Sequence, residues 1–274
     1  MKELQGRVAV VTGASTGIGR SIAVECGRAG MRVVLASQNA ERLAAAVDEV
    51  RATDAQAIGL PTDVSDRAAV ERLAEATLRE FGAAHLLVNN AGVYAPGYAW
   101  ETPLEEWEWV IGVNLWGPLY AIRAFMPQLL AQPEAHIVNV SSTGGLMTTP
   151  VQGPYTSSKH ALVGLSKGLR ADFVIKEANV GVTVVCPGMV ATNIISQMQT
   201  TGPGGKPRPK AELAPEVQEM WNVMSTLTNA GIPADDVGPM VLEAVRENRF
   251  WLLPNGEQFF DVFDAELEAL KAGQ

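Results

Sequence analysis

The chain is poor in the residues that bind metals and tie loops together. It has two cysteines, Cys26 and Cys186, far apart and without CxxC-type companions, so neither a disulfide framework nor a zinc site is indicated. Histidine is also sparse, with His85, His136 and His160 and none after them. Positive charge is in deficit, 21 Lys and Arg against 30 Asp and Glu, giving a net charge of −9. That balance argues against nucleic acid or an anionic membrane surface as a partner. No apolar run approaches a membrane span, and residues 1–7 carry no apolar signal region, so a soluble cytoplasmic protein is expected. No internal repeat is visible, and residues 1–274 read as a single domain.

What the chain does have is apolar residues, 47% of the total against 19% charged, enough for one large core. They fall into alternating strand and helix patterns. Residues 7–12 (R-V-A-V-V-T) are strand-like and run into Gly13-Ala14-Ser15-Thr16-Gly17-Ile18-Gly19, after which a helix is expected over 20–28. Strand, glycine loop and helix in that order present free backbone N–H groups at a helix N-terminus to a phosphate. Strands follow at 32–35, 57–60 and 85–89, with helices at 40–51 and 67–81 between them. Strands joined by helices imply a doubly wound parallel sheet with right-handed crossovers, which binds ligands beyond the carboxyl ends of its strands. Gly13, Asp63, Asn90 and Ser142 all fall at such ends.

The glycine loop also fits G-x-S-x-G, the nucleophile elbow of hydrolases, with Ser15 at its centre. Context rejects an esterase: no earlier strand and loop can supply an oxyanion hole, and no histidine lies in the C-terminal part.

Residues 141–160 carry the chemistry. A β-branched strand, 136–140, ends at Ser141-Ser142, and a helical pattern begins at Tyr155. Tyr155 and Lys159 lie one helical turn apart on the same face. A phenol titrates near ~10, and a neighbouring ammonium favours its ionised form and brings it towards working range. Ser142 then supplies a hydroxyl to hold a carbonyl or alcohol oxygen. Alone, Tyr-x-x-x-Lys is most often an exposed helix face; the upstream pattern gives it weight.

Thr12-Gly13-x-x-x-Gly17-x-Gly19, Asp63-Val64, Asn89-Asn90-Ala91-Gly92, Asn114, Ser142, Tyr155-x-x-x-Lys159 and Pro187-Gly188 together resemble the short-chain dehydrogenase/reductase family over roughly residues 5–195. The resemblance implies a Rossmann-type sheet of about seven parallel strands, a nicotinamide cofactor, and hydride transfer to or from a carbonyl carbon, with no metal required. It assigns Tyr155 as general acid/base and Lys159 as the group that lowers its pKa and holds the nicotinamide ribose. Ser142 becomes the substrate-oxygen donor, with Ser141 the strand-end residue. Asn114 lies in a long helix over about 104–130 broken by Gly112, Gly117 and Pro118. It is either a packing residue or a polar anchor at a kink, and the family gives it the second role, ordering a proton-relay water.

The same resemblance places Gly13, Ser15, Thr16, Gly17, Ile18 and Gly19 on the cofactor, Asp63 and Val64 at its adenine end, and Asn90, Ala91 and Gly92 where backbone approaches it. Asp63 and Asn90 can equally be turn residues. Pro187, Gly188, Val190 and Thr192 are implied to clamp the nicotinamide carboxamide. Ser37 stands where an NAD-selective member has an acid, while Gln38 and Thr16 replace the basic residues of an NADP-selective one. Ser37, Gln38 and Asn39, with Arg42 a turn further on, favour NADP, with NAD accepted. His85 departs from an Asp common in the family and is expected to matter only structurally.

Bulky residues expected around the substrate are Val93, Tyr94, Tyr98, Trp100, Leu146, Met147, Met198 and Trp221, with Tyr94, Met147, Met198 and Trp221 beside Ser142 as substrate-binding candidates. No cation is obviously placed for a substrate acid, so a neutral hydrophobic alcohol or ketone is expected. Residues 193–230, with a Gly/Pro-rich stretch at 200–210, read as a lid. Apolar residues on the two long helices (Trp109, Val113, Trp116 and Phe125; Leu162, Leu165, Leu169 and Phe173) suggest a homo-oligomer, a tetramer or dimer. The terminal helix, 257–272, carries Phe260, Phe263, Leu267 and Leu270 on one stripe. The competing reading is a catalytically silent nucleotide sensor on the same fold.

Overall fold

A computed structural model describes residues 1–196, 202–203 and 213–273. The first half alternates regularly: β1 Val8–Thr12, α1 Gly17–Arg28, β2 Arg32–Ser37, α2 Ala40–Arg51, β3 Ala57–Pro61, α3 Arg67–Phe81 and β4 Leu86–Asn89. Then come α4 Leu104–Ile111, a π-helical turn Gly112–Trp116, α5 Gly117–Leu130, β5 Ala135–Val140, α6 Gly153–Ile175 and β6 Val180–Val185. The last part comprises β7 Val190–Ala191, α7 Pro215–Asn229, β8 Ile232–Pro233, α8 Ala234–Arg246, β9 Trp251–Leu252 and α9 Phe260–Ala272.

Seven strands form one parallel sheet in the order β3-β2-β1-β4-β5-β6-β9. The chain winds outward from β1 to β3, then returns to start the other half at β4. Helices on the two sides therefore diverge above the β1/β4 boundary and leave a crevice at the carboxyl ends. The expected doubly wound fold is the one observed.

Alternation explains why the strands read as unbroken apolar runs. Ala9 and Val11 face one layer with Ile22 and Cys26 of α1, Val47 and Val50 of α2, and Val241 and Val245 of α8. Val8 and Val10 face the other, with Val70 and Leu73 of α3 and Phe125 and Leu129 of α5. Each fully buried Leu or Phe contributes about 1.5–3 kcal/mol relative to exposure.

Caps fix the helix starts. The Asn39 side chain accepts from Arg42 N–H at 2.8 Å to open α2, and Asp66 accepts from Ala68 N–H at 2.9 Å to open α3. Gly82, with φ +75°, closes α3 in the left-handed conformation. Thr16, the residue before α1, makes no side-chain cap, so the first N–H groups of α1 stay open towards the crevice.

Three expectations need correction. The helix expected over 104–130 is interrupted by the π turn, which fits one extra residue between Gly112 and Gly117. Phe125, Leu162, Val113 and Phe173 turn into the core, so they offer no surface to a second subunit. The exposed apolar residues of these helices are Leu104, Trp116, Leu130, Val174 and Ile175. The helix expected over 257–272 starts only at Phe260, after a 3₁₀ turn Glu257–Phe259, and none of its residues is buried. Part of the expected lid lies outside the described residues. Among them, no helix is long and apolar enough to cross a membrane.

Candidate active site

A cavity of about 680 Å³ opens at the carboxyl ends of the strands. Its floor begins with the glycine loop. Gly13 has φ +63°, and a Cβ there would stand 2.7 Å from Ala91 Cα, so only glycine fits between the β1 and β4 ends. A Cβ on Gly19 would come within 2.3 Å of Asn90 Nδ2 and 2.4 Å of Gly13 O. Gly19 therefore packs α1 against the loop and, unlike Gly13, Ser15, Thr16, Gly17 and Ile18, does not line the cavity. Asn90 is a staple: Nδ2 donates to Thr12 O at 2.9 Å and its N–H to Thr12 Oγ1 at 3.0 Å. Ala91 and Gly92 continue the wall beside it.

At the far end, Ser37, Gln38 and Arg42 line the cavity, and Ser15 and Ser37 share a hydrogen bond of 2.8 Å. Arg42 makes no ion pair among the described residues. Val64 reaches the cavity as expected, together with Thr62. Asp63 does not line it: its Oδ1 accepts from Ser65 N–H at 2.9 Å and from the Ser65 hydroxyl at 2.6 Å, the turn role the sequence also allowed.

The other end gathers Ser142, Tyr155 and Lys159. Ser142 Oγ accepts from Gly144 N–H at 3.1 Å, closing a short 3₁₀ turn that tips the hydroxyl towards Tyr155. Ser141 instead faces inward, donating its hydroxyl to Lys159 O at 3.0 Å. Lys159 is buried, with Nζ donating to Val140 O at 2.9 Å and lying 5.7 Å from the centre of the Tyr155 ring. Burial pulls its pKa down to about 8. Tyr155 behaves oppositely: burial raises its pKa, and the neighbouring Ser142 hydroxyl opposes that rise. The expected lowering by Lys159 is therefore not the dominant influence on Tyr155, the ammonium being directed to a carbonyl.

Asn114, fully buried in the π turn, receives Val93 N–H at 2.8 Å and donates to Val93 O at 2.9 Å and Ser158 Oγ at 3.0 Å. Its side chain is thus a fixed clamp joining the turn, the loop after β4, and α6. Both sequence readings meet here, since it is buried in packing and anchored at a kink. Its side-chain amide is fully engaged by protein.

Pro187, Gly188, Val190 and Thr192 line the cavity above this group. Tyr94 and Met147 form the adjacent apolar wall, with Tyr94 edge-on to Tyr155 at 5.2 Å. Trp221 is a correction: 3% exposed, it packs behind Tyr94 at 5.8 Å and does not line the cavity. Tyr98 and Trp100 stack on each other outside it, Trp100 being 79% exposed. Met198 lies outside the described residues. Lining residues that the sequence reading missed include Thr149, Gln152, Met189, Thr228 and Phe259. Met189 stands between Gly188 and Val190, which were expected there; the others have no local signal and arrive through a loop or helix end.

The cavity suits a dinucleotide. Its glycine cradle would be filled by any Cβ, the α1 N-terminus is left uncapped towards it, and polar groups line the end where a ribose would lie. Among the described residues, no cluster of three His, Cys, Asp or Glu could hold a metal.

Comparison with known proteins agrees with this geometry. Residues 7–202 match the model of the short chain dehydrogenase family. The chain is 33% identical over 271 residues to 1-deoxy-11-beta-hydroxypentalenate dehydrogenase of Streptomyces exfoliatus, covering 95% of this chain and 90% of that one. It is 31% identical over 262 residues to the C alpha-dehydrogenase of a Sphingobium strain, covering 94% and 83%. A short chain dehydrogenase/reductase from Burkholderia phymatum, solved in complex with NAD, superposes with a TM-score of 0.94 at 37% identity, covering 100% of this chain and 97% of that one. The fold and cavity define a dinucleotide-binding oxidoreductase of Rossmann type. More narrowly, the chain belongs to the short-chain dehydrogenase/reductase family.

Proposed function

We propose that this protein interconverts a neutral, hydrophobic secondary alcohol and its ketone with a nicotinamide cofactor. The observation that carries the reading is the convergence of the Ser142 hydroxyl, the Tyr155 phenol and the Lys159 ammonium on one cavity that the glycine loop also lines. Gly13, Ser15, Thr16, Gly17, Ile18, Ser37 and Gln38 hold the dinucleotide on this reading, with Pro187, Gly188, Val190 and Thr192 at its nicotinamide end. The bound nicotinamide gives up or accepts the hydride. Tyr155 donates a proton to the developing alkoxide in reduction and takes it back in oxidation, while Ser142 donates a hydrogen bond to the same oxygen. Lys159, when protonated, favours the ionised phenol, and Asn114 keeps α6 in register with the loop after β4.

The substrate preference follows from the walls. Val93, Tyr94, Trp109, Met147, Ile194 and Met224 are apolar or bulky, and among the described residues the cations on the cavity are Arg42 and Lys159, neither free at the substrate end. The Streptomyces relative is named for a hydroxyl-bearing carboxylate, which agrees with an alcohol substrate and differs from the neutral class proposed here. From the expected lid, Asn193, Ile194 and Ile195 line this end, and α7 contributes Met224 and Thr228. We take NADP as preferred and NAD as accepted, since Ser37, Gln38 and Arg42 can donate to a 2′-phosphate and no acid repels it. The NAD held by the Burkholderia neighbour fits the second half of that statement. A homo-oligomer in the cytoplasm completes the proposal.

The deciding experiment is Tyr155→Phe. It should bind cofactor as the wild type does and lose about 10²–10⁴-fold in turnover on an aryl or polycyclic ketone. Near-normal turnover would refute the mechanism; the absence of turnover by the wild type on any alcohol, ketone, sugar or acyl thioester would favour the silent sensor.

A further inference from the structure

The terminal helix α9 has no seat on its own chain. None of its residues is buried, and among the described residues its one substantial packing partner is the short turn Glu257–Phe259 that leads into it. Phe260, Phe263, Leu267 and Leu270 repeat at helical spacing, and three of them remain 48%, 48% and 75% exposed (Phe260, Leu267 and Leu270). Asp264 and Glu266 border that stripe on its two sides, and Asp261 and Glu268 add to the charge, with Lys271 the one cation. A helix of 13 residues is marginal in water without tertiary packing. An acidic helix with an exposed apolar stripe therefore calls for a surface that is apolar and positively charged.

Such a groove lies between α6 and β9, with a volume of about 530 Å³. Phe250 and Trp251 form one side of it, and Val174 and Ile175, 74% and 82% exposed, the other. Lys167 lies over the Trp251 ring at 5.4 Å and Arg170 over Phe250 at 4.9 Å. Neither cation forms an ion pair among the described residues, so both keep their charge available at the groove.

We propose that α9 is an arm that seats in the α6–β9 groove of a second copy of this chain. The apolar stripe covers Val174, Ile175 and Trp251, and Asp264 and Glu266 meet Lys167 and Arg170. Because every copy carries both arm and groove, one two-fold contact can use each element twice, which closes the assembly as a dimer of arms. The root of the arm reaches the active cavity: Phe259 lines it, and a Cβ on Gly188 would stand 3.1 Å from its ring. Pairing would thus also fix one residue of the cavity wall.

The inference does not depend on the reaction and is tested without it. Sedimentation at micromolar concentration should show the wild type associated. Lys167→Glu with Arg170→Glu, and separately Asp264→Lys with Glu266→Lys, should each weaken association at least about tenfold, since like charges then face each other. All four substitutions in one chain should restore it, because the pairing is merely inverted. A monomeric wild type, either double variant associating as tightly as the wild type, or a quadruple variant that stays dissociated would each overturn the proposal.

Discussion

Burial drives Tyr155 and Lys159 in opposite directions, and the Ser142 hydroxyl opposes the rise at Tyr155. Ser142 is the neighbour that holds the phenol down, so removing it should raise the Tyr155 pKa. In the oxidation direction the ionised phenol is the working form, and the acidic limb of kcat/KM reports it. Ser142→Ala should therefore move that limb to higher pH as well as slow the reaction; a limb that stays put or moves down would speak against the hydroxyl's role.

Two other residues link burial to acid stability. His85 Nδ1 accepts from Val8 N–H at 3.2 Å, and burial, with Arg7 and Arg32 nearby, pushes its pKa down to about 4. His136, fully buried against Thr183, is pushed to about 3. The unfolded chain takes up these protons near ~6.5 while the folded chain does not. Their contribution is thus intact above that pH and declines as pH falls towards 4, by up to about 1.4 kcal/mol per pH unit for each histidine. The fall in urea midpoint from pH 7 to pH 5 should be smaller for His85→Asn than for the wild type. Equal losses would rule out His85 as a contributor. The sequence marked His85 as a departure but carried no sign of this bond, because the donor, Val8 N–H, lies on another strand.

At the scale of elements, the glycine loop and the π turn are both places where backbone leaves no room. Gly19→Ala would drive a methyl into Asn90 and Gly13, opening the β1–β4 staple. We expect loss of cofactor affinity by titration calorimetry together with a lower melting temperature, whereas intact binding would show that the loop tolerates the shift. Asn114→Ala would leave both backbone groups of Val93 without their protein partner in a half-buried site, at up to roughly 1–3 kcal/mol for each unsatisfied group. For a chain of this size that corresponds to a fall in Tm of about 2–4 °C per kcal/mol, readable by calorimetry. The alternation of strands and helices, the loop and the Tyr155–Lys159 helix were all legible from periodicity and spacing. The π turn was not, because one added residue in a 27-position apolar stretch shifts the pattern by less than its own scatter. Nor could periodicity separate Trp221, buried behind Tyr94, from Met224, which reaches the cavity three residues later.

For the whole molecule, ligand binding and unfolding are linked. A cofactor present at a hundredfold excess over its Kd stabilises the native state by about 2.7 kcal/mol. At equal concentration NADP should raise Tm more than NAD, and a larger shift with NAD, or an NADH preference above tenfold in kcat/KM, would reverse the assignment. The cavity wall as a whole was beyond the sequence's reach. Gln152, Thr228 and Phe259 are assembled from three loops or helix ends that only the completed fold brings together.

The two thiols have a use that their scarcity creates. Cys26 belongs to the apolar layer under α1 and α8, and Cys186 to the opposite layer under α3 and α5. Both are buried with pKa values near about 12, so neither offers a reactive thiolate while its layer is closed. Each is therefore a chemical clock for one side of the sheet, with no engineered label required. Pulsed alkylation in mild denaturant, read by peptide mass, should modify the two cysteines at the same rate if both layers open together. A separation of the two rates would show which half of the dinucleotide crevice lets go first.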